Sequence, residues 1–339
     1  MTIAIALIKS TGHNLPGHPE NPGRFNSIER ELKNSPRNML IRFGPEPIPI
    51  DVLSTVHTDA YVRFVEQEAS KGPGILDYGD TYVTQSSFAD GLNAVAGTLT
   101  ILNHVLDGEH TKGFAIVRPP GHHASAQKAM GFCLFNNIAI ATKQAQLRGL
   151  RRVAIVDFDV HHGNGTQDIF YADPQVLYVS THQWGIFPGT GWKTEIGSDA
   201  AEGTTINIPL PAGVGDKGLQ AAFRHVVEPA LQRFEPDILL VSAGYDAHWK
   251  DPLASMQVTS EGYFELARML AACAEDLCGG RIMLVLEGGY NPEALAQSVR
   301  NTCLALAGMD LPEVTGFNPP GDEPDVQVRL AEISEIHGL

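Results

Sequence analysis

A few short segments carry side chains of the kinds that bind metal ions and move protons. Asp157, Asp159 and His161 are spaced by two, so in an extended chain their side chains leave on one side. Another aspartate, Asp246, stands in Gly244-Tyr245-Asp246 behind a separate apolar run. Asp159, His161 and Asp246 together offer two carboxylates and one imidazole, a ligand set for a divalent ion. Three protein ligands leave a fourth position open to water, which marks a catalytic rather than a structural zinc. Beside them come Arg118-Pro119-Pro120-Gly121-His122-His123 and Glu287-Gly288-Gly289-Tyr290, rich in groups able to transfer protons. Turns and caps also use Asp and His, but turn chemistry does not require two consecutive pairs, His122-His123 and His161-His162.

Each of these segments directly follows a run that reads as a strand. The pattern predicts strands over Ile3–Ile8, Leu40–Phe43, Gly113–Val117, Arg152–Phe158, Val176–Thr181, Thr205–Leu210, Asp237–Ser242 and Arg281–Leu286. Runs such as Ile282-Met283-Leu284-Val285-Leu286 are apolar on successive residues, as in parallel sheets covered on both faces. Helical periodicity fits Asn26–Leu32, Asp59–Ser70, Ser86–Leu106, Asn136–Arg148, Gly218–Phe234, Ser260–Leu277 and Pro292–Leu306. This alternation predicts one α/β domain with a mainly parallel sheet of about eight strands flanked by helices. In such sheets the ligand site lies beyond the carboxyl ends of the strands, where all of these segments fall. Residues 1–309 are read as the catalytic domain and 310–339, Pro-rich and acidic over Asp310–Val326, as a C-terminal surface tail. Gly72–Gln85 has no periodicity and reads as a long loop.

With 24 Lys+Arg against 39 Asp+Glu, the formal charge of −15 argues against nucleic-acid binding, which needs basic residues on phosphates. A negative field favours cationic ligands instead. The 34 Gly and 22 Pro exceed the average share of roughly 12% and predict many structured loops. The four cysteines form no C-x-x-C pair and read as reduced. Ile3–Ile8 is too short for a membrane span, which takes about 20 residues, so a soluble cytoplasmic protein is expected, with an oligomer possible.

Arg118–His123, Gly131-Phe132-Cys133-Leu134-Phe135-Asn136-Asn137, Asp157–Gly165, Phe187-Pro188-Gly189-Thr190-Gly191, Gly244–Asp246 and Glu287–Tyr290 resemble, in order, the zinc-dependent histone deacetylases and acetylpolyamine amidohydrolases. The resemblance runs from His18-Pro19-Glu20 to Asn291, and Asn164 with Leu286–Tyr290 is similar to the class II and bacterial branch. It implies the arginase–deacetylase fold, one zinc per chain, and removal of acetyl groups from N-acetylated amines, acetyl-lysine or acetylpolyamine. By the same likeness His123 is the general base and then acid, and His122 its electrostatic partner oriented by Asp157. Asn164 stands behind His123 where class I members carry an Asp, and Tyr290 donates to the oxyanion. Phe132 and Phe187 resemble tunnel walls over Gly131, Asp80 a rim carboxylate, and Arg24 a residue on the path of departing acetate. A potassium ion is implied at Asp157, at the backbone oxygens of Asp159 and His161, and at Ser180 and Thr181.

Other signals carry less. Gly213-Val214-Gly215-Asp216-Lys217-Gly218 spells a dinucleotide fingerprint, but no acid ends a strand about 20 residues on. A two-metal ureohydrolase needs an acid two residues after the ligand His, where Gly163 stands. A non-catalytic acyl-lysine binding module predicts a lost ligand or a lost Tyr, and none is lost. His162 reads as a packing residue and His182 and His248 as residues of the pocket mouth. His13, His18, His57, His104, His110, His225 and His337 read as lacking functional partners.

Overall fold

Five consecutive apolar residues, Ile282–Leu286, have no polar face to give to water, so they are stable as a strand only when covered on both sides. The computed structural model, which describes residues 2–77, 79, 81–312 and 319–339, places them inside a sheet with all five buried. The strands are β1 (Ile3–Ile8), β2 (Leu40–Phe43), β3 (Gly74–Ile75), β4 (Tyr82–Val83), β5 (Lys112–Val117), β6 (Val153–Asp157), β7 (Val176–Gln183), β8 (Thr205–Leu210), β9 (Ile238–Ala243) and β10 (Ile282–Leu286). Eight form one sheet in the order β2-β1-β5-β10-β9-β6-β7-β8. Every pairing within it is parallel. The eight-stranded, helix-flanked single domain expected from the sequence is present.

Side chains alternate between two cores. Ile3, Ile5, Phe114, Ile116, Ala154 and Val156 pack on one face, and Ala4, Ala6, Ala115, Val117, Val153 and Ile155 on the other. The helices Gly23–Lys33, Ser260–Cys278 and Pro292–Leu306 pack together, the first and last lying next to the loops of the site. The segments with chemical side chains follow β5, β6, β9 and β10, which are neighbours in the sheet. Adjacent parallel strands of similar length end side by side, so these loops meet at one edge.

Strand limits fall within one or two residues of those predicted. The helix predicted over Gly218–Phe234 instead starts at Asp216 and is interrupted by a wider π turn at Phe223–Val227. Pro229 is the second residue of the last part, Glu228–Phe234, and lacks the N–H that a regular turn would use. The helix Asn164–Phe170 was not expected; at seven residues it is too short for a periodic signal. The loop Gly72–Gln85 contains the small β3–β4 hairpin. The surface-tail reading of 310–339 needs correction, because the helix Gln327–His337 is packed on the domain. Val326, Leu330 and Ile333 join the core at 4%, 1% and 0% exposure, and Arg329 donates to the Pro209 carbonyl at 2.7 Å. Three apolar positions in a charged segment are a faint pattern.

Candidate active site

Asp157 is the last residue of β6, and its register partners are Ser180 and Ser242. The chain leaves the sheet there, and Asp159 and His161 follow on the exit. His161 Nδ1 lies 3.2 Å from Asp159 Oδ1 and 3.1 Å from Asp246 Oδ2. One imidazole nitrogen carries at most one proton, so two carboxylates facing it form an arrangement suited to a shared cation. Ligands about 2.0–2.2 Å from one tetrahedral ion stand roughly 3.3 Å apart, close to these separations. The three candidate ligand atoms all lie within 4.8 Å of one another. Surrounding backbone fixes the carboxylates: Gly288 N donates to Asp159 Oδ2 at 2.8 Å and Val160 N to Asp246 Oδ1 at 2.9 Å. A side chain at Gly244 or Gly288 would put Cβ 1.9 Å from Asp159 Oδ2 or 2.1 Å from Asp246 Oδ2. The cradle therefore requires glycine at both places, and the donor set fits a divalent ion.

Electrostatics agree. Burial opposes charge on His161, yet its bonds to Asp159 and Asp246 raise its pKa to about 10. Burial, followed by the charge of Asp159, raises Asp246 above the usual carboxylate range. Two buried carboxylates at one point require positive charge.

The neighbouring histidines are held in different ways. His122 Nδ1 lies 3.1 Å from Asp157 Oδ2; despite burial, Asp157, Asp159 and Glu287 push its pKa up to about 10. His123 Nδ1 lies 2.8 Å from Asn164 Oδ1. Burial, followed by the charges of His122 and His161, holds its pKa well below the ordinary value. The two rings are 4.0 Å apart, so one tends to be charged and the other neutral. Glu287, to which the sequence reading gave no separate role, braces this turn: its Oε2 accepts from Gly121 N at 2.7 Å and His122 N at 3.2 Å.

In front of these groups is a cavity of about 290 Å³, lined by His123, His161, Tyr290, Gly131 and the apolar Pro19, Phe132, Phe187 and Leu253. The Phe187 ring stands 5.0 Å from that of His123 and is 46% exposed, as a wall at the entrance would be. Phe132 adopts a left-handed backbone (φ 69) beside Gly131 (φ 54), and its ring meets Tyr290 at 5.7 Å. Arg24, 1% exposed, lies below Tyr290 with its guanidinium 5.0 Å from the ring centroid. It donates to the carbonyls of Gly289 (2.7 Å) and Glu287 (2.8 Å). Glu20, which accepts from Arg24 and Arg118, completes this buried ionic group. Leu253 stands in no motif the sequence singles out, and Glu20, within His18-Pro19-Glu20, was given no role of its own.

Asp157 and Ser180 are register partners where β6 ends; Thr181, two residues before the end of β7, has a buried Oγ1 with no hydrogen-bond partner among the described residues. Asp80 lies outside the described residues. His182 and His248, expected at the mouth, are buried away from the cavity: His182 bridges Ser180 Oγ and the Gly191 carbonyl, and His248 lies 3.3 Å from Ser260 Oγ. His162 is a packing residue, bonded to Thr190 and Gln167. His13 and His57, read as lacking functional partners, have structural ones, His13 in Ser87 at 2.6 Å and His57 in the Ser125 carbonyl at 3.0 Å.

Fold and site together are those of a deacetylase, a hydrolase. Residues 18–306 match the histone deacetylase domain, and the chain belongs to the histone deacetylase family. It is 42% identical to histone deacetylase 10, chloroplastic, of Oryza sativa, over 97% of this chain and 79% of that protein. It is 41% identical to a probable deacetylase of Archaeoglobus fulgidus, over 87% of this chain and 83% of that one. The solved HDA15 HD domain superposes with a TM-score of 0.90 at 35% identity, covering 99% of this chain and 96% of that chain.

Proposed function

We propose that this enzyme is a zinc-dependent amidohydrolase that removes acetyl groups from acetyl-lysine side chains. The observation that carries the reading is the meeting of Asp159, His161 and Asp246 with His123 and Tyr290 at the base of one apolar-walled cavity. A zinc ion held by the three ligands supplies Lewis acidity toward the acyl carbonyl and makes water a better nucleophile. His123 starts neutral, with Nδ1–H directed at Asn164 Oδ1, so its Nε2 is the atom that takes a proton from the attacking water. The same nitrogen then returns that proton to the departing amine. His122, kept charged by Asp157, stays a fixed positive neighbour during this exchange. The Tyr290 phenol, whose pKa burial raises well above normal, remains a donor and directs its proton at the oxygen that gathers charge as the acyl carbon becomes tetrahedral.

Pro19, Phe132, Phe187 and Leu253 surround the passage with apolar surface. An acetylated lysine presents a neutral chain of methylenes there, whereas an acetylpolyamine brings a further ammonium close to walls that offer it no carboxylate among the described residues. The charge of −15 supports the polyamine as a second reading, because it attracts both cationic peptides and polyamines. A structural potassium at Asp157, Ser180, Thr181 and the backbone of Asp159 and His161 is supported by Asp157 and Ser180 being register partners where β6 ends. Acetate release past Arg24 is supported by the place of that guanidinium beneath Tyr290. The four unpaired cysteines support a reducing, cytoplasmic setting; among the described residues no helix is long and apolar enough to cross a membrane.

The test is to measure zinc content and kcat/KM on an acetyl-lysine peptide, N-acetylputrescine and N-acetylspermidine. A preference of at least about tenfold for the peptide is expected, equivalent to about 1.4 kcal/mol in the transition state. Preference for a polyamine would transfer the assignment to the second reading, and no turnover by zinc-loaded protein would end both.

A further inference from the structure

Leu253, on the cavity rim, and Tyr290, at its base, belong to loops that follow different strands, β9 and β10. One side chain joins them. Asp251 Oδ2 accepts from Tyr290 N at 2.6 Å and from Asn291 N at 3.2 Å, and its Oδ1 accepts from Leu253 N at 3.0 Å. We infer that Asp251 is a positioning residue for deacetylation, its carboxylate setting the Tyr290 hydroxyl and the Leu253 rim in one register. This inference rests on the proposed role of Tyr290 as oxyanion donor.

Both sides of the link are rigid. The Asp251 backbone donates to the His248 carbonyl at 2.8 Å, Lys250 N to His248 Nδ1 at 3.1 Å, and Trp249 N to the Val258 carbonyl at 3.0 Å. On the other side, Asn291 Oδ1 caps the helix Pro292–Leu306 through Ala294 N at 3.1 Å, while its Nδ2 reaches the Lys250 carbonyl at 3.1 Å. The turn that carries Tyr290 is also fixed by Asp159 at Gly288 N and by Arg24 at two carbonyls. Asp251 adds the bond to the Tyr290 peptide itself.

A carboxylate is the group this junction needs. Three N–H groups converge on two oxygens, while an amide offers one oxygen and presents N–H₂ to the remaining donors. A carboxylate only 7% exposed is costly to bury unless its hydrogen bonds are made, and here all three come from the two loops that frame the cavity.

The test uses the zinc-loaded full chain and measures kcat and KM on an acetyl-lysine peptide for wild type, Asp251→Asn, Tyr290→Phe and the double variant. Misplacing a reacting group by about 1 Å can cost on the order of a hundredfold. Asp251→Asn is therefore expected to lower kcat between about tenfold and a hundredfold at unchanged zinc content. In the Tyr290→Phe background, where there is no hydroxyl left to misplace, the same change is expected to cost less than about twofold. A full decrement in both backgrounds overturns the inference, because the loss would then not pass through Tyr290; so does wild-type kcat in Asp251→Asn. Wild-type activity in Tyr290→Phe instead removes the oxyanion role itself, a separate failure. If Asp251→Asn does not fold, Asp251→Glu, which keeps the charge but extends it by one methylene, is judged by the same comparison.

Discussion

Replacing Gly244 by alanine tests the metal cradle without touching a ligand. The new Cβ would sit 1.9 Å from Asp159 Oδ2 and 2.3 Å from its Cγ. Ordinary contact begins near 3.4 Å, so one group must retreat by about 1.5 Å at a cost the rigid interior does not absorb. Gly244 follows directly on β9, whose Ala243 pairs with Leu286, and the backbone is held there by the sheet. The Asp159 side chain, whose Cβ would also be only 2.5 Å away, is therefore the part that moves, and its carboxylate with it. A metal–oxygen bond is about 2.0–2.2 Å, and a displacement of that size takes Asp159 out of coordination. Loss of an outer-shell partner alone weakens metal affinity by about 10–100-fold; displacement of a ligand is expected to cost at least about a hundredfold, near 2.7 kcal/mol. Competition against a chromophoric zinc chelator measures this directly. Gly108→Ala is the control: its φ of +76 strains an alanine, but no atom of the described residues lies within 4 Å of its Cβ. It is expected to lose stability by about 1–2 kcal/mol with unchanged zinc affinity. A Gly244→Ala protein that binds zinc within threefold of wild type would refute the assignment of Asp159 as a ligand.

Three further outcomes follow from other parts of the molecule. His57 Nε2 accepts from Asn136 N at 2.9 Å, which requires the neutral ring, and burial lowers its pKa to about 4. The unfolded chain takes up that proton near pH 6.5, so this stability is complete above about 6.5 and is lost as pH falls toward 4; between pH 7 and 5 the loss is about 2 kcal/mol. Urea unfolding at the two pH values should show His57→Gln losing that much less than wild type, and equal losses would refute the assignment. Leu330→Ala is expected to cost about 3 kcal/mol as a buried truncation, against less than about 0.5 kcal/mol for Val328→Ala, which is 74% exposed; equal, small effects in denaturant would mean that the last helix does not pack. Phe187→Ala should lower kcat/KM on acetyl-lysine peptides about tenfold, mainly through KM, and an unchanged KM would remove Phe187 from the passage wall.

The sheet was legible because its strands are short apolar runs with no alternative use: Ile238–Val241 and Ile282–Leu286 cannot be placed anywhere but between two layers. The helix Asn164–Phe170 and the packed helix Gln327–His337 were not. The first is too short to repeat its pattern, and the second turns only Leu330, Ile333 and His337 inward, with Val326 just before it. Whether such a stripe meets a core or water depends on the rest of the domain, which a local pattern does not contain.

The site divides in the same way. Asp159, His161 and His123 were visible because their chemistry is unusual in a loop and because each follows a strand end. Asp251 and Glu287 act through ordinary hydrogen bonds to backbone N–H groups, and an aspartate in a loop is what turn chemistry already predicts. Their contribution depends on contacts between segments distant in sequence, 39 residues for Asp251 with Tyr290 and 166 for Glu287 with Gly121. Ligands and proton carriers are thus written in residue type, while the groups that aim them are written in topology. His182 and His248 mark the limit from the other direction: one stands near the end of β7 and the other just past β9, with the right chemistry, yet both are turned into the protein, His182 by Ser180 and the Gly191 carbonyl and His248 by Ser260 and the Lys250 N–H. A strand end brings a side chain to the edge of the site, and its hydrogen-bond partner decides whether it faces the cavity.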